Sequence, residues 1–313
     1  MGAVERTGAD GGALSEPGMH GPSESREGSL PILTASGDPF PRTVLHGGIT
    51  ALVLTYNEEA NLGRVLGRLG WCDRILVLDS YSTDRTLEIA GSFENVDVEQ
   101  RAFDSFAGQC NYGLGLVGTE WTLSLDADYV LTPEVSEEIA GLADDPAVVG
   151  YRAPFQYLVH GRPLRGTLYP PRTVLYRTRR ARYDQDGHAH RVEVDGAVRD
   201  LAHVIQHDDR KPLGSWLDAQ RRYAVQEAAK LRAAPPGTLG RNDRLRLGGR
   251  LAPVLAPLYA LLVKGGILDG RAGWTYALQR AYAEILLALH LSEPPPDAGP
   301  TRARPHATPS TPL

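Results

Sequence analysis

Lysine is nearly missing from this chain. Lys211, Lys230 and Lys264 are its only lysines, so almost all of its basic charge is arginine. Arginine suits bidentate contacts to phosphate, and a compositional bias of the genome accounts for the same pattern. The 313 residues carry a formal net charge of -5. That balance speaks against a dedicated nucleic-acid binder, which normally presents a basic face. Cysteine is scarcer still: Cys72 and Cys110 cannot build a disulfide framework. No apolar run reaches the roughly 18 to 20 residues that a membrane-spanning helix needs. The longest, Leu251 to Val263, is interrupted by Pro253 and Pro257. No signal-peptide pattern is read in Met1 to Gly28, a stretch of Gly, Ser, Glu and Asp. These absences lead to the expectation of a reducing, cytoplasmic location. The two common phosphate-cradling loops, G-x-G-x-x-G and G-x-x-x-x-G-K-[ST], are also absent after the first apolar run.

What is present has the composition of an ordinary globular protein, 42% hydrophobic and 23% charged, which excludes a collagen-like or wholly disordered chain. Residues 1–46 and 293–313 are rich in Gly, Pro and Ser, lack apolar periodicity and read as disordered tails. Residues 47–232 read as one α/β catalytic domain. Apolar runs at Gly48 to Thr55, Arg74 to Leu78 and Trp121 to Leu125, with a short strand expected at Val96 to Gln100, alternate with helical patterns. Asn57 is the expected cap of the first helix, Ser82 or Thr83 that of the second, and Phe106 to Leu116 is the third. Alternation of this kind predicts a Rossmann-like, mostly parallel sheet flanked by helices. From Val148 to Ile205 short strand-like pieces follow, then a helix over Leu213 to Leu231. Residues 233–250 read as a linker, and 251–292 as a C-terminal helical extension. In it, Trp274, Ala277, Leu278, Ala281, Ile285, Ala288 and Leu289 keep helical spacing.

Three polar clusters end three of the apolar runs: Thr55-Tyr56-Asn57-Glu58-Glu59, Asp79-Ser80-Tyr81-Ser82-Thr83-Asp84 and Asp126-Ala127-Asp128. A parallel sheet gathers its strand ends on one edge, where ligands of such folds bind. Singly, each cluster is as well explained by capping of the next helix. Together they describe an acidic edge without a phosphate loop. Such an edge binds phosphate through a divalent cation, and Asp126 and Asp128 are hard oxygen ligands suited to Mg²⁺ or Mn²⁺. Glu58 and Asp79 can accept hydrogen bonds from a base or ribose. This is the logic of a nucleotide-diphosphate-sugar site.

The order and spacing of TYNEE, DSYSTD and LSLDAD resemble the family 2 glycosyltransferases of GT-A fold. The stretch Phe106-Ala107-Gly108-Gln109-Cys110-Asn111-Tyr112 is similar to that family's segment before its D-x-D strand. Lys264-Gly265-Gly266-Ile267-Leu268-Asp269-Gly270-Arg271-Ala272-Gly273 resembles a late signature of the branch that includes lipopolysaccharide-core β-1,4-glucosyltransferases. The resemblance spans about residues 48–291. It implies donor-binding roles for Thr55, Asn57, Glu58, Asp79, Ser82, Asp84, Gln109, Asn111 and Asp126, and metal-binding roles for Asp126, Asp128 and His207. For His207 a plain strand-end histidine is an equal reading.

The resemblance further implies an inverting, metal-dependent hexosyl transfer. The donor would be a nucleotide-diphosphate sugar, a UDP-sugar, and the acceptor a saccharide or lipid-linked molecule of envelope polysaccharide or glycolipid synthesis. Inversion needs a general base. The branch carries His-Glu before a V-x-V-D-G-like strand, and here His190 stands in the glutamate's place. Asp186, His188 and His190 are the candidates. Arg165, Arg172 and Arg177 flank this region and could neutralise diphosphate, though a solvated face is the simpler reading for at least two of them. A catalytically inactive nucleotide-sugar-binding scaffold is the main competing function, and a nucleotidyltransferase a more distant one. Leu251 to Val263, preceded by Arg244, Arg246 and Arg250, has the makings of peripheral contact with the inner face of the cell membrane, against packing or dimerisation.

Overall fold

The computed structural model describes residues 45–186, 189–235, 237–249 and 251–294, with Asp186, Ala189 and His190 described by their backbone alone. The expected tails fall almost wholly outside this range. The first half runs β1 (Ile49–Thr55), α1 (Leu62–Leu66), β2 (Arg74–Asp79), α2 (Thr86–Ala90), β3 (Val96–Gln100), α3 (Phe106–Leu116) and β4 (Trp121–Asp126). It continues with β5 (Tyr129–Leu131), α4 (Pro133–Ala140), β6 (Val148–Ala153), β7 (Phe155–Val159), β8 (Arg162–Pro163) and β9 (Arg172–Arg177). Then come β10 (Ala181–Asp186), β11 (Ala189–Val194), β12 (Ala197–Asp200), β13 (Ile205–His207), α5 (Leu213–Ala233), α6 (Arg241–Leu247), α7 (Ala252–Leu258) and α8 (Arg271–Ser292).

The main sheet has the strand order β12-β6-β9-β4-β1-β2-β3. Strands β4, β1, β2 and β3 pair in parallel, as the alternation of apolar runs and helices requires. Strand β9 breaks the pattern. It lies antiparallel between β4 and β6 and carries the sheet past the nucleotide-fold half. Strand β1 shows why these runs are apolar throughout. Ile49, Ala51 and Val53 pack with Leu62, Val65 and Leu66 of α1, while Leu52 turns to the opposite face with Leu76 and Leu78. Alternate residues face opposite sides of a strand, so a strand covered on both faces cannot alternate in polarity. On the α3 face the approach is close: a Cβ on Gly113 would stand 2.7 Å from Leu52 Cδ1.

Two smaller units complete the domain, a mixed sheet in which β13 pairs β7 in parallel and β5 antiparallel, and an antiparallel hairpin. One has the order β5-β13-β7-β8, and the other is the hairpin β10-β11. The hairpin is pinned to α3 by Asn111, whose amide donates to the Tyr183 carbonyl and accepts from the Tyr183 N–H, both at 2.8 Å.

Three expectations change. The first two helices start later than the caps read for them: α1 begins at Leu62 and α2 at Thr86. Asn57, Ser82 and Thr83 lie in the preceding loops and bind each other instead. The supposed linker over 233–250 contains α6, whose Arg246 pairs with buried Glu284 of α8 at 2.6 Å. Finally, the apolar run after Pro253 is not one regular helix. Helix α7 passes into a π-helical turn at Tyr259–Val263 and a 3-10 turn at Gly266–Asp269. Pro257 has no N–H to donate, which favours such irregularity.

The glycines of the late signature follow from this packing. Gly265 and Gly270 have φ of +75° and +58°, a region costly for residues with a Cβ. A Cβ on Gly273 would sit 1.8 Å from the Gly266 carbonyl oxygen. Gly273→Ala is therefore expected to destabilise the protein by about 1–3 kcal/mol through overpacking, lowering the midpoint of thermal unfolding by several degrees. Gly115→Ala, in α3 with open space around its added methyl, should leave the midpoint unchanged or raise it.

Candidate active site at the strand ends

The register sets the three clusters level. Thr55 lies opposite Asp79 in the β1-β2 ladder, and Leu54 lies opposite Asp126 in the β1-β4 ladder. The clusters then divide into two kinds.

The first two interlock. Asp79 is fully buried. Its Oδ1 accepts from the Thr55 hydroxyl at 2.9 Å and the Ser82 hydroxyl at 2.5 Å. Its Oδ2 accepts from the Ser82 N–H at 2.8 Å and from Gln100 Nε2 at 3.1 Å. Ser82 Oγ accepts from the Asn57 N–H, and Asn57 Oδ1 accepts from the Thr83 N–H, both at 2.8 Å. Burial would raise the Asp84 carboxyl, but the bonds it accepts from the Thr86 hydroxyl and from the Glu59 and Thr86 N–H groups hold it below the ordinary range. Asn57 and Tyr81 adopt positive φ, 53° and 61°, which the interlocked loops impose. Thr55, Asn57, Asp79, Ser82 and Asp84 thus meet one another as the sequence predicts. Their polar atoms are largely spent on fixing the two loops.

Gln109 is likewise buried and internal, bonded to Ser80, the Arg101 carbonyl and the Arg101 guanidinium. Asn111 holds the hairpin. Protein partners thus occupy both ends of each amide.

The third cluster is different. Asp126 and Asp128 are half-buried and partly open to solvent. Asp128 Oδ2 lies 3.1 Å from His207 Nε2, delivered by β13, which pairs β5 so that His207 faces Tyr129. The rings of Tyr129, Tyr157 and Tyr169 surround His207 at centroid distances of 5.2, 4.6 and 5.0 Å. Burial opposes protonation of this histidine, but the carboxylate of Asp128, with Asp126 and Asp209, outweighs it and raises its pKa. Its Nδ1 is buried without a partner.

Two cations stand beside the acids. Arg172 donates to the hydroxyls of Tyr129 at 3.2 Å and Tyr169 at 2.7 Å, and the Asp126 charge acts on it. Of the three arginines singled out in the sequence, it alone reaches the acids. Arg177 binds Glu120 and Asp144 and lies over the Trp121 ring, and Arg165 binds Asp269. The second cation, Lys211, pairs with Glu58 at 2.5 Å. Sequence reasoning missed it. It also missed the brace behind it, in which buried Asp208 accepts from Arg64 of α1 at 2.7 Å and pairs with Arg210 at 2.7 Å. Asn61 ties the same segment through Asp209 and the Arg210 N–H. The compact run His207-Asp208-Asp209-Arg210-Lys211 was the available signal.

Of the candidate bases, His188 lies outside the described residues. The backbones of Asp186 and His190 flank the tip of the β10-β11 hairpin, opposite Ala189 and Gln185. No group of three or more metal-ligating side chains occurs among the described residues. Hollows of about 290 Å³ at the foot of the hairpin and about 550 Å³ between α5 and α6 lie elsewhere in the sequence than these clusters.

Residues 50–199 match the family model for glycosyl transferase family 2. The lipopolysaccharide core biosynthesis glycosyltransferase LpsC of Rhizobium meliloti is 30% identical over 155 residues, 45% of this chain and 55% of that protein. An uncharacterized glycosyltransferase of Rickettsia bellii is 33% identical over 92 residues, 29% of this chain and 31% of that one. The matched part thus spans about a third to a half of these relatives. Among solved structures, residues 1–349 of S. aureus TarS in complex with UDP-GlcNAc align at 16% identity and a TM-score of 0.41, over 78% of this chain and 89% of that one.

Glu58 carries a testable consequence. Burial pushes its carboxyl from 4.5 up to about 7, opposed by Lys211 and reinforced by Asp128. A carboxyl raised in the folded state favours folding below its unfolded value, and that contribution is lost as pH rises through the folded value. Stability should therefore fall between about pH 4.5 and 7 by up to about 3 kcal/mol from this group. Denaturant unfolding across that window should show a shallower decline in Glu58→Gln than in the wild type.

Proposed function

From the match of residues 50–199 to the glycosyl transferase family 2 model, we propose that the chain transfers a hexose from a UDP-sugar to a saccharide or lipid-linked acceptor, with inversion at the anomeric carbon. The role in lipopolysaccharide core biosynthesis printed for the Rhizobium relative supports an envelope polysaccharide or glycolipid as the product class. The observation that carries the reading is the meeting of Asp128 and His207 at 3.1 Å beside the strand ends, with Asp126, Arg172 and Lys211 around them.

A carboxylate and an imidazole this close could supply two of the six ligands of an octahedral ion. That suits a Mg²⁺ or Mn²⁺ ion whose remaining ligands are water and substrate phosphate. It does not suit a resident structural metal, which takes its full set from protein. Asp128 and His207 would hold the ion, with Asp126 close by. Bound there, it would neutralise the charge that gathers on the departing diphosphate. The protein's own groups do the rest. Asp79 and Ser82 keep the loops after β1 and β2 in one arrangement, so that the edge needs no reorganisation when the donor binds. The Tyr129 and Tyr169 hydroxyls fix Arg172 in a direction to meet phosphate, and a pre-oriented guanidinium spends little entropy in doing so. Lys211 can exchange Glu58 for a phosphate oxygen. The hairpin bearing Asp186, His188 and His190 supplies the base, which takes the acceptor hydroxyl's proton as that oxygen attacks the anomeric carbon opposite the diphosphate.

Thermal unfolding with a panel of nucleotide-sugars, with and without Mn²⁺, tests this. One UDP-sugar should stabilise the protein only with metal, by about 2.7 kcal/mol at a hundred-fold excess over Kd, and Asp128→Asn should lose the effect. Stabilisation that survives in Asp128→Asn removes the metal from the reading. Binding without slow release of UDP makes the protein a nucleotide-sugar-binding scaffold.

A further inference from the structure

The C-terminal region turns its more apolar side outward. From Leu251 onward, Leu251, Val254, Leu255, Leu258, Leu262 and Val263 recur at helical spacing and are all exposed. The buried positions of the same stretch are fewer: Ala252, Ala260 and Leu261. The 3-10 turn continues the pattern. Leu262, Val263 and Leu268 are 64%, 66% and 69% exposed, whereas a helix that only covers a core puts such residues inside. No helix among the described residues is long and apolar enough to cross a membrane.

Charge identifies the occupant. Between Asp243 and Asp269 the chain has no acidic residue. Asp269 itself is nearly buried and spent on Arg165, whose N–H and Nε donate to it at 3.0 and 3.2 Å. The flanking charges are mostly basic: exposed Arg241 and Arg244 on α6, where Asp243 is the one acid, Lys264 in the turn, exposed Arg271 at the start of α8, and exposed Arg165. A second copy docked about a two-fold axis would bring two identical basic rims together, which like-charge repulsion disfavours. A surface of anionic lipid accepts both the apolar side chains and the basic rim.

The same turn grips the active site. Besides the Asp269–Arg165 bonds, Gly166 lies so close to the Lys264 carbonyl that a Cβ would meet it at 2.7 Å. The Tyr276 hydroxyl of α8 accepts from the Leu168 N–H at 3.0 Å. The next residue is Tyr169, which orients Arg172.

We infer that Leu251–Leu268 is a docking surface for an anionic lipid bilayer, lying in the interface plane and holding the Tyr169–Arg172 side of the site toward the lipid. The docking stands on exposure and charge alone. Its use, presenting the site to an acceptor anchored in that bilayer, rests on the glycosyltransfer reading.

Flotation of the full chain with vesicles tests the docking. With phosphatidylcholine vesicles containing phosphatidylglycerol at low salt, the wild type should float. With phosphatidylcholine alone, or as salt screens the basic rim, it should float less. The double variant Leu262→Glu/Leu268→Glu should reduce the vesicle-bound fraction by at least about ten-fold. Both residues are exposed, so its thermal midpoint and its response to UDP-sugar should stay those of the wild type. Protein that remains soluble with anionic vesicles overturns the inference, and so does a double variant that floats like the wild type. A dimer by light scattering that the double variant converts to monomer assigns the face to a second copy and overturns it as well. Flotation without any donor binding would leave the docking intact and remove the glycosyltransfer reading instead.

Discussion

A single buried carboxylate sets the geometry of this edge. Asp79 lies at the end of β2 with no solvent to satisfy it, so each lone pair must find a protein donor. It finds Thr55 on the neighbouring strand, Ser82 three residues on, and Gln100 at the end of β3. One group therefore ties the ends of three adjacent parallel strands and shapes the loop that follows. Removing it would leave the buried Thr55 hydroxyl unpaired, a cost of about 1–3 kcal/mol, and would release half-buried Ser82 and exposed Gln100 from the strand ends. The loops that frame the acidic edge stay in register because that cost is avoided only in one arrangement.

From that constraint the charge of the edge follows. With Asp79 sealed underneath, three of the carboxylates left near the surface, Asp126, Asp128 and Glu58, each have a cationic or protonatable neighbour. Arg172 answers Asp126, His207 answers Asp128, and Lys211 answers Glu58. The three partners come from parts of the chain far from their acids in sequence. A parallel half-sheet supplies the acids, and the segment after it, through β9 and β13, supplies the countercharges. The antiparallel insertion of β9 is what brings Arg172 to the edge, since β9 starts at that residue.

How much of this was readable in advance can be judged from individual residues. The strands β1, β2 and β4 were legible because strands buried on both faces must be apolar without interruption, whereas β3, an exposed edge strand, was legible from its place in the alternation. Helix α3 was legible to the residue. The start of α1 was misread because Asn57 looks like a cap, yet its amide serves the loop after β2, a contact 26 residues away. Helix α6 was hidden because its exposed face is arginine-rich, and only the long-range pair of Arg246 with Glu284 reveals what it packs against. The Arg64–Asp208 brace spans 144 residues, beyond the reach of any local pattern.

The acids themselves raise a subtler point. Spacing alone makes Asp79 and Asp128 look alike, both closing or following an apolar run. Their neighbours differ. Asp79 is followed by Ser80, Ser82 and Thr83, and hydroxyl and backbone donors within a few residues let an aspartate satisfy itself locally. Asp128 is followed by Tyr129 and Val130 and has no such donors nearby in sequence. It keeps its open oxygen for something that the local chain does not supply: His207 from a distant strand, and in the reading advanced above a cation arriving with substrate. An acid at a strand end rich in hydroxyls builds the edge, and an acid at a strand end poor in them is left to face what binds there.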